Sequence, residues 1–113
     1  MLIKHEEMAL RYFWDEKAED ASSGDVWLYV NEKLGEGNSI SKTTIVVFLQ
    51  AMANEGVLNP KRVSGKGGYY NLYTQKMNEK DYIKYIIKTL YNSLMRDFTE
   101  ETKEALKEYV DDS

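Results

Sequence analysis

Few side chains in this sequence are equipped for covalent or metal chemistry. The single histidine, His5, is followed by Glu6 and Glu7, and there is no cysteine. One imidazole near a terminus falls short of a metal site, and the lack of cysteine removes disulfides, thiolate nucleophiles and thiolate zinc together. Catalysis would need a carboxylate pair or a serine with unusual partners, so an enzyme is not expected and no cofactor is implied. A carboxylate-only metal site stays open on sequence alone. The cations are more informative. Lys61, Arg62 and Lys66 border or enter the run Ser64-Gly65-Lys66-Gly67-Gly68, and Lys42 follows Ser41 at the start of an apolar-periodic stretch. Cations beside glycines, which let the backbone approach closely, suit phosphate oxygens. The run lacks the Gly-x-x-x-x-Gly-Lys-Ser/Thr spacing of a nucleotide-binding loop and precedes a strand instead of a helix, which argues against nucleotide binding.

The distribution of charge sharpens this. The 113 residues carry a net charge of −4, which by itself disfavours a polyanionic partner. Residues 1–36 hold four basic and nine acidic side chains, and residues 78–113 hold six and nine. Between them, residues 37–77 hold five basic side chains against Glu55 alone. A local basic block, not the total, is the electrostatic footprint that phosphate binding requires. With 42% hydrophobic and 30% charged residues the composition is that of an ordinary globular domain. No apolar run reaches membrane-spanning length and the opening residues do not form a signal peptide, so a cytoplasmic protein without membrane contact is expected.

The elements that must position these residues follow from periodicity. Residues 4–18 read as a first helix with Met8, Tyr12, Phe13 and Trp14 on a broad apolar face. Turn residues and helix-starting oxygens at Ala21–Asp25 precede a second helix, with Val26, Trp27, Val30 and Leu34 at helical spacing and Gly35 as its stop. Ser41 is the N-cap of a third helix, and Ile40 before it is placed to staple onto Ile45. Ile45, Phe48, Leu49 and Met52 form a single buried stripe, ended by Gly56. The period then changes. Val57 to Val63 and Tyr69 to Thr74 read as two strands of a hairpin across the glycine tip, with Pro60 indicating a late start or an edge position. Asn78 caps a long fourth helix running to about Phe98, and Thr99-Glu100-Glu101 caps a short last one that ends in a frayed acidic tail.

Three helices followed by a hairpin is the order of a winged helix-turn-helix, in which the third helix enters the major groove and the hairpin, or wing, lies along the backbone. The expected fold is therefore mainly α with a small β-hairpin. Residues 1–77 would be the winged-helix head and residues 78–113 a helical dimerisation extension. With the buried stripe of the third helix set inward, Thr43, Val47, Gln50 and Asn54 share the opposite sector, flanked by Thr44 and Ala51. Hydroxyls, an amide and a methyl-bearing valine are side chains that read base edges, whereas a merely solvated face more often carries Lys and Glu. The expected DNA contacts are thus Ser41, Lys42, Thr43, Thr44, Val47 and Gln50 on the helix and Lys61, Arg62 and Lys66 on the wing. The partner would be double-stranded DNA.

The segments Ile40-Ser41-Lys42-Thr43-Thr44-Ile45, Gly56-Val57-Leu58 and Gly65-Lys66-Gly67-Gly68-Tyr69-Tyr70-Asn71-Leu72-Tyr73 resemble the penicillinase-repressor type of winged-helix regulators. The resemblance spans roughly residues 5–95. It implies a DNA-binding head, helices that dimerise and repression at palindromic operators. By position it places Lys42, Thr43, Thr44 and Val47 on the recognition helix and Lys61, Arg62 and Lys66 in the wing. The opening helix, with Arg11-Tyr12-Phe13-Trp14, matches loosely, and the loop at Gly35–Asn38 departs from the pattern. No segment reads as the cleavage site of a proteolytic switch.

On the fourth helix Tyr82, Ile83, Ile86, Ile87, Leu90, Tyr91 and Leu94 span close to half the circumference, widened by Met95 and Phe98. So broad an apolar face is expected to pair with a second copy, giving a homodimer, or else to cover the first helix. The competing function is a winged helix used for protein contact within a larger transcription or signalling assembly. A weaker one is a ligand-responsive regulator with an aromatic-lined pocket.

Overall fold

The computed structural model describes residues 2–112. Its elements are α1 (Lys4–Trp14), α2 (Ser23–Leu34), α3 (Lys42–Asn54), β1 (Leu58–Gly65), β2 (Gly68–Gln75), α4 (Glu79–Asp97) and α5 (Thr99–Asp112). This is a mainly helical chain with one antiparallel hairpin, in winged-helix order. It divides into two compact units, Met1–Glu79 and Lys80–Ser113.

The core of the first unit is built from one face of each helix and the base of the hairpin. Leu10 and Phe13 from α1, Val26 and Val30 from α2, and Ile45 and Leu49 from α3 are fully buried, as are Val57, Leu58 and Tyr73. The four-residue stripe expected on α3 is its buried set. Of the expected apolar side of α2, Val26 and Val30 are buried and Trp27 and Leu34 half-buried. The Trp27 indole N–H donates to the Ile40 carbonyl at 2.7 Å. Asn31, one turn on, accepts from the Ile40 N–H at 2.8 Å and donates to its carbonyl at 3.3 Å. Together they tie down the residue that precedes the Ser41 cap, and so fix where α3 leaves α2. Ser41 accepts from the Thr44 N–H at 3.2 Å, as its residue type implies.

α1 is shorter than expected: it stops at Trp14 instead of reaching residue 18. Asp15 still bonds back to the Arg11 carbonyl at 2.7 Å, and the chain then leaves helical backbone through left-handed positions at Lys17 and Asp20. That detour delivers Ala21 to β2, where it exchanges both backbone hydrogen bonds with Tyr73, at 2.9 and 2.8 Å. The segment that reads as a plain break is thus a one-residue third strand. The same bridge explains Pro60, which sits inside β1 opposite Tyr73 and not at a late start. Tyr73 turns its N–H and C=O toward Ala21, so the position opposite needs no donor and proline is tolerated.

Gly56 ends α3 with φ +81°; its N–H reaches the Ala53 carbonyl and the Val57 N–H reaches that of Met52, closing the last turn. Arg11 also bonds Glu7 and Glu79 at 3.0 Å each, and these contacts, Glu7 first, hold its guanidinium above its ordinary pKa. The Trp14 indole donates to the Met77 carbonyl at 3.1 Å, anchoring the chain that leaves β2.

In the second unit, the Thr99 hydroxyl bonds the Met95 carbonyl, so it closes the end of α4 instead of capping α5. The Thr102 hydroxyl adds a 3.3 Å bond to the Leu94 carbonyl. α5 runs on to Asp112, so the acidic segment expected to fray is helical.

Replacing Asn31 with Ala strands the Ile40 N–H between α2 and α3. The expected cost is about 1–3 kcal/mol in urea unfolding followed by tryptophan fluorescence. Glu32→Ala, on the exposed side of the same helix, should stay within about 0.5 kcal/mol.

Candidate nucleic-acid interface

The recognition surface begins with the outward face of α3. Thr43, Val47, Gln50 and Asn54 are all exposed, and Val47 leaves 60% of its surface open among the described residues. Ser41 and Thr44 are exposed too, but their hydroxyls engage each other at 2.8 Å. That contact supports the cap and leaves each with lone-pair capacity for a further partner.

Lys42 is where the structure adds most. The sequence places it at the start of α3. Its ammonium group instead extends toward the start of α2, 3.7 Å from the point where a Cβ on Gly24 would stand. The first turn of α2 directs free N–H groups outward and carries partial positive charge. A lysine there does not complement the helix; both features favour an anion between them. Ser22 caps that turn by accepting from the Asp25 N–H at 3.1 Å.

These groups open on a notch of about 430 Å³, whose walls are Ser23, Gly24 and Lys42 on one side, Val46 and Gln50 on α3, and Tyr69, Tyr70, Asn71 and Tyr73 on β2. The hairpin register decides which wing residues take part. Arg62 pairs with Asn71 and Lys61 with Leu72. Successive strand residues face opposite sides, so Arg62 shares a face with Tyr69, Asn71 and Tyr73, while Lys61 shares the other with Val63, Tyr70 and Leu72. Arg62 stacks on the Tyr69 ring at 4.4 Å from its centroid, which holds an otherwise flexible cation in place. Lys66 lies at the turn, beside Gly67 with φ +88°.

The structure therefore brings Lys42, Gln50, Tyr69 and Asn71 to one notch, with Arg62 on the strand face of Tyr69 and Asn71 but outside the notch lining. It sets Lys61 on the opposite side of the ribbon, although the three wing cations read as one group from sequence. Tyr69, Asn71 and the first turn of α2 were missed. The signal for the two β2 residues was present, since period-two alternation across the hairpin pairs them with Arg62.

Compared with known proteins, the chain matches no family model and no curated protein. Among the described residues no cluster of three or more His, Asp or Glu could hold a metal ion. No helix among them is long and apolar enough to cross a membrane.

Because Val47 and Gln50 are exposed, Val47→Ser and Gln50→Ala should each change stability by less than about 0.5 kcal/mol. Leu49→Ala, one position away on the buried stripe, should cost about 2–5 kcal/mol. Thermal unfolding of the three variants checks the contrast.

Proposed function

We propose that this chain is a sequence-specific regulator of transcription that binds duplex DNA through α3 and its wing. A homodimer on a palindromic operator is the form we propose, in the manner of the penicillinase-repressor-type regulators whose motifs it resembles. Occupying an operator obstructs transcription, so repression is the direct consequence. The carrying observation is the convergence of Lys42 with the first turn of α2 beside an exposed, nearly uncharged α3 face. A duplex laid against that face offers a phosphate at the α2 turn and base edges to Thr43, Val47 and Gln50. Arg62, steadied by Tyr69, and Lys66 at the tip would follow the backbone on the wing side. Lys61, on the outer face of the ribbon, has the smaller part.

The division of labour is testable by fluorescence anisotropy with duplex DNA over a salt series. Lys42→Ala and Arg62→Ala should each weaken binding to all sequences alike and lower the salt slope by about one. Lys61→Ala should do less than Arg62→Ala. Val47→Ala should leave the slope unchanged and alter which sequences are selected from a random pool. A folded protein that binds no duplex even at low salt would sink this reading and favour a winged helix used for protein contact.

A further inference from the structure

The outward face of α3 is divided along its length. At about 100° per residue, Gln50, Thr43 and Asn54 fall within about 40° of one another, and Val47, Ala51 and Thr44 occupy roughly the next 60°. The first strip carries two amides and a hydroxyl, and Gln50 joins it to the notch that Lys42 lines. The second strip is mostly apolar: a valine, an alanine and a threonine whose hydroxyl already meets that of Ser41 at 2.8 Å. Neither strip holds a cation. Lys42, the one charged residue of α3, extends toward Gly24 on α2. Guanine is read most often by arginine or lysine, adenine by asparagine or glutamine, and thymine through its methyl group by small apolar side chains. This face lacks the usual reader of guanine and is equipped for adenine edges and pyrimidine methyls.

The isolation of Val47 decides what it suits. Of the large apolar side chains on α3 it alone is exposed. The helices of the second unit differ. Tyr82, expected on a pairing face, is buried, while Ile87, Leu90 and Leu94 are exposed along one apolar lining with Leu106 and Tyr109. Val47 has no such company, since its neighbours on the face are hydroxyls, amides and the half-buried Ala51. An apolar spot the size of one side chain is matched by an apolar group of similar scale. The major groove offers one, the methyl on C5 of a pyrimidine.

We infer that Val47 is a reader of 5-methylpyrimidines: it packs against the C5 methyl of one base in the bound site, while Gln50 and Thr43 hydrogen-bond neighbouring base edges. Val47 has this role only with α3 in the major groove, so the inference rests on the proposed DNA binding and adds the class of base on which selection turns. A methyl contact does not distinguish thymine from 5-methylcytosine, because both carry the group at the same place in the groove. Uracil and cytosine lack it. Methylation of a cytosine at this position therefore strengthens binding instead of blocking it. Burying one methyl corresponds to about fourfold in affinity.

The test uses the duplex that the wild-type chain selects most strongly from a random pool. Each thymine is replaced in turn by uracil, and binding is followed by anisotropy at fixed salt. At least one replacement should weaken binding about fourfold. At that base pair, 5-methylcytosine should bind about fourfold more tightly than cytosine. Val47→Ser, exposed and therefore folded, should bind the thymine and uracil duplexes alike and lose the preference for 5-methylcytosine. Lys42→Ala should weaken every duplex and keep both ratios. A selected site without thymine, uracil tolerated at every position, 5-methylcytosine no better than cytosine, or ratios that persist in Val47→Ser would overturn the inference and leave duplex binding intact. A wild-type chain that binds no duplex at all would remove the DNA reading and this inference with it.

Discussion

The peptide of Ile40 is the point on which the recognition surface depends. Its N–H and carbonyl are both taken by α2 side chains, Asn31 and Trp27, before the chain turns at Ser41 into α3. A buried peptide left unpaired would be costly, so these bonds restrict the α2–α3 turn to one geometry. Through that turn, the start of α3 comes beside the start of α2, and Lys42 can reach the first turn of its neighbour. Without that link, α3 could still bury Ile45 and Leu49 while its first turn stood elsewhere relative to the start of α2.

The hairpin obeys a similar constraint. Its base is held from two sides, by Leu58 and Tyr73 in the core and by the backbone exchange between Tyr73 and Ala21. Because strand side chains alternate, fixing Tyr73 inward fixes Asn71 and Tyr69 on the same face and Arg62 across from them. A slip of one residue would turn Arg62 away and bring Lys61 round in its place. The aromatic and cationic side chains at the free end are thus aimed by burial at the other end of the ribbon.

The two units meet the demands of stability in different ways. The first closes most of its apolar surface with its own helices and hairpin, leaving Ile3, Leu28, Val47, Tyr69 and Tyr70 as its exposed large apolar side chains. The second has two helices of 19 and 14 residues and few internal contacts beyond the bonds at the corner near Thr99 and Thr102. Helices of this length draw most of their stability from packing, not from propensity. Its exposed leucines and aromatics are consequently the chief physical demand that this chain makes on its surroundings.

Periodicity and end signals in the sequence determined the helix-helix-helix-hairpin order, the buried stripe of α3 and the Ser41 cap, because these depend on neighbours within a few residues. The same local logic placed Thr43, Val47 and Gln50 outward. Contacts between residues distant in the chain were decided only by the tertiary structure. The early end of α1 and the pairing of Ala21 with Tyr73 required β2 to be in place, and Pro60 became acceptable only through that pairing. Lys42 belongs to α3 by sequence but to the α2 terminus by position, a relation that local spacing cannot encode. The separation of Lys61 from Arg62 needed the strand register, and the joint apolar lining of α4 and α5 depends on how the chain passes the helix break at Phe98. Local chemistry sets which face of an element is polar; only long-range packing sets what that face meets.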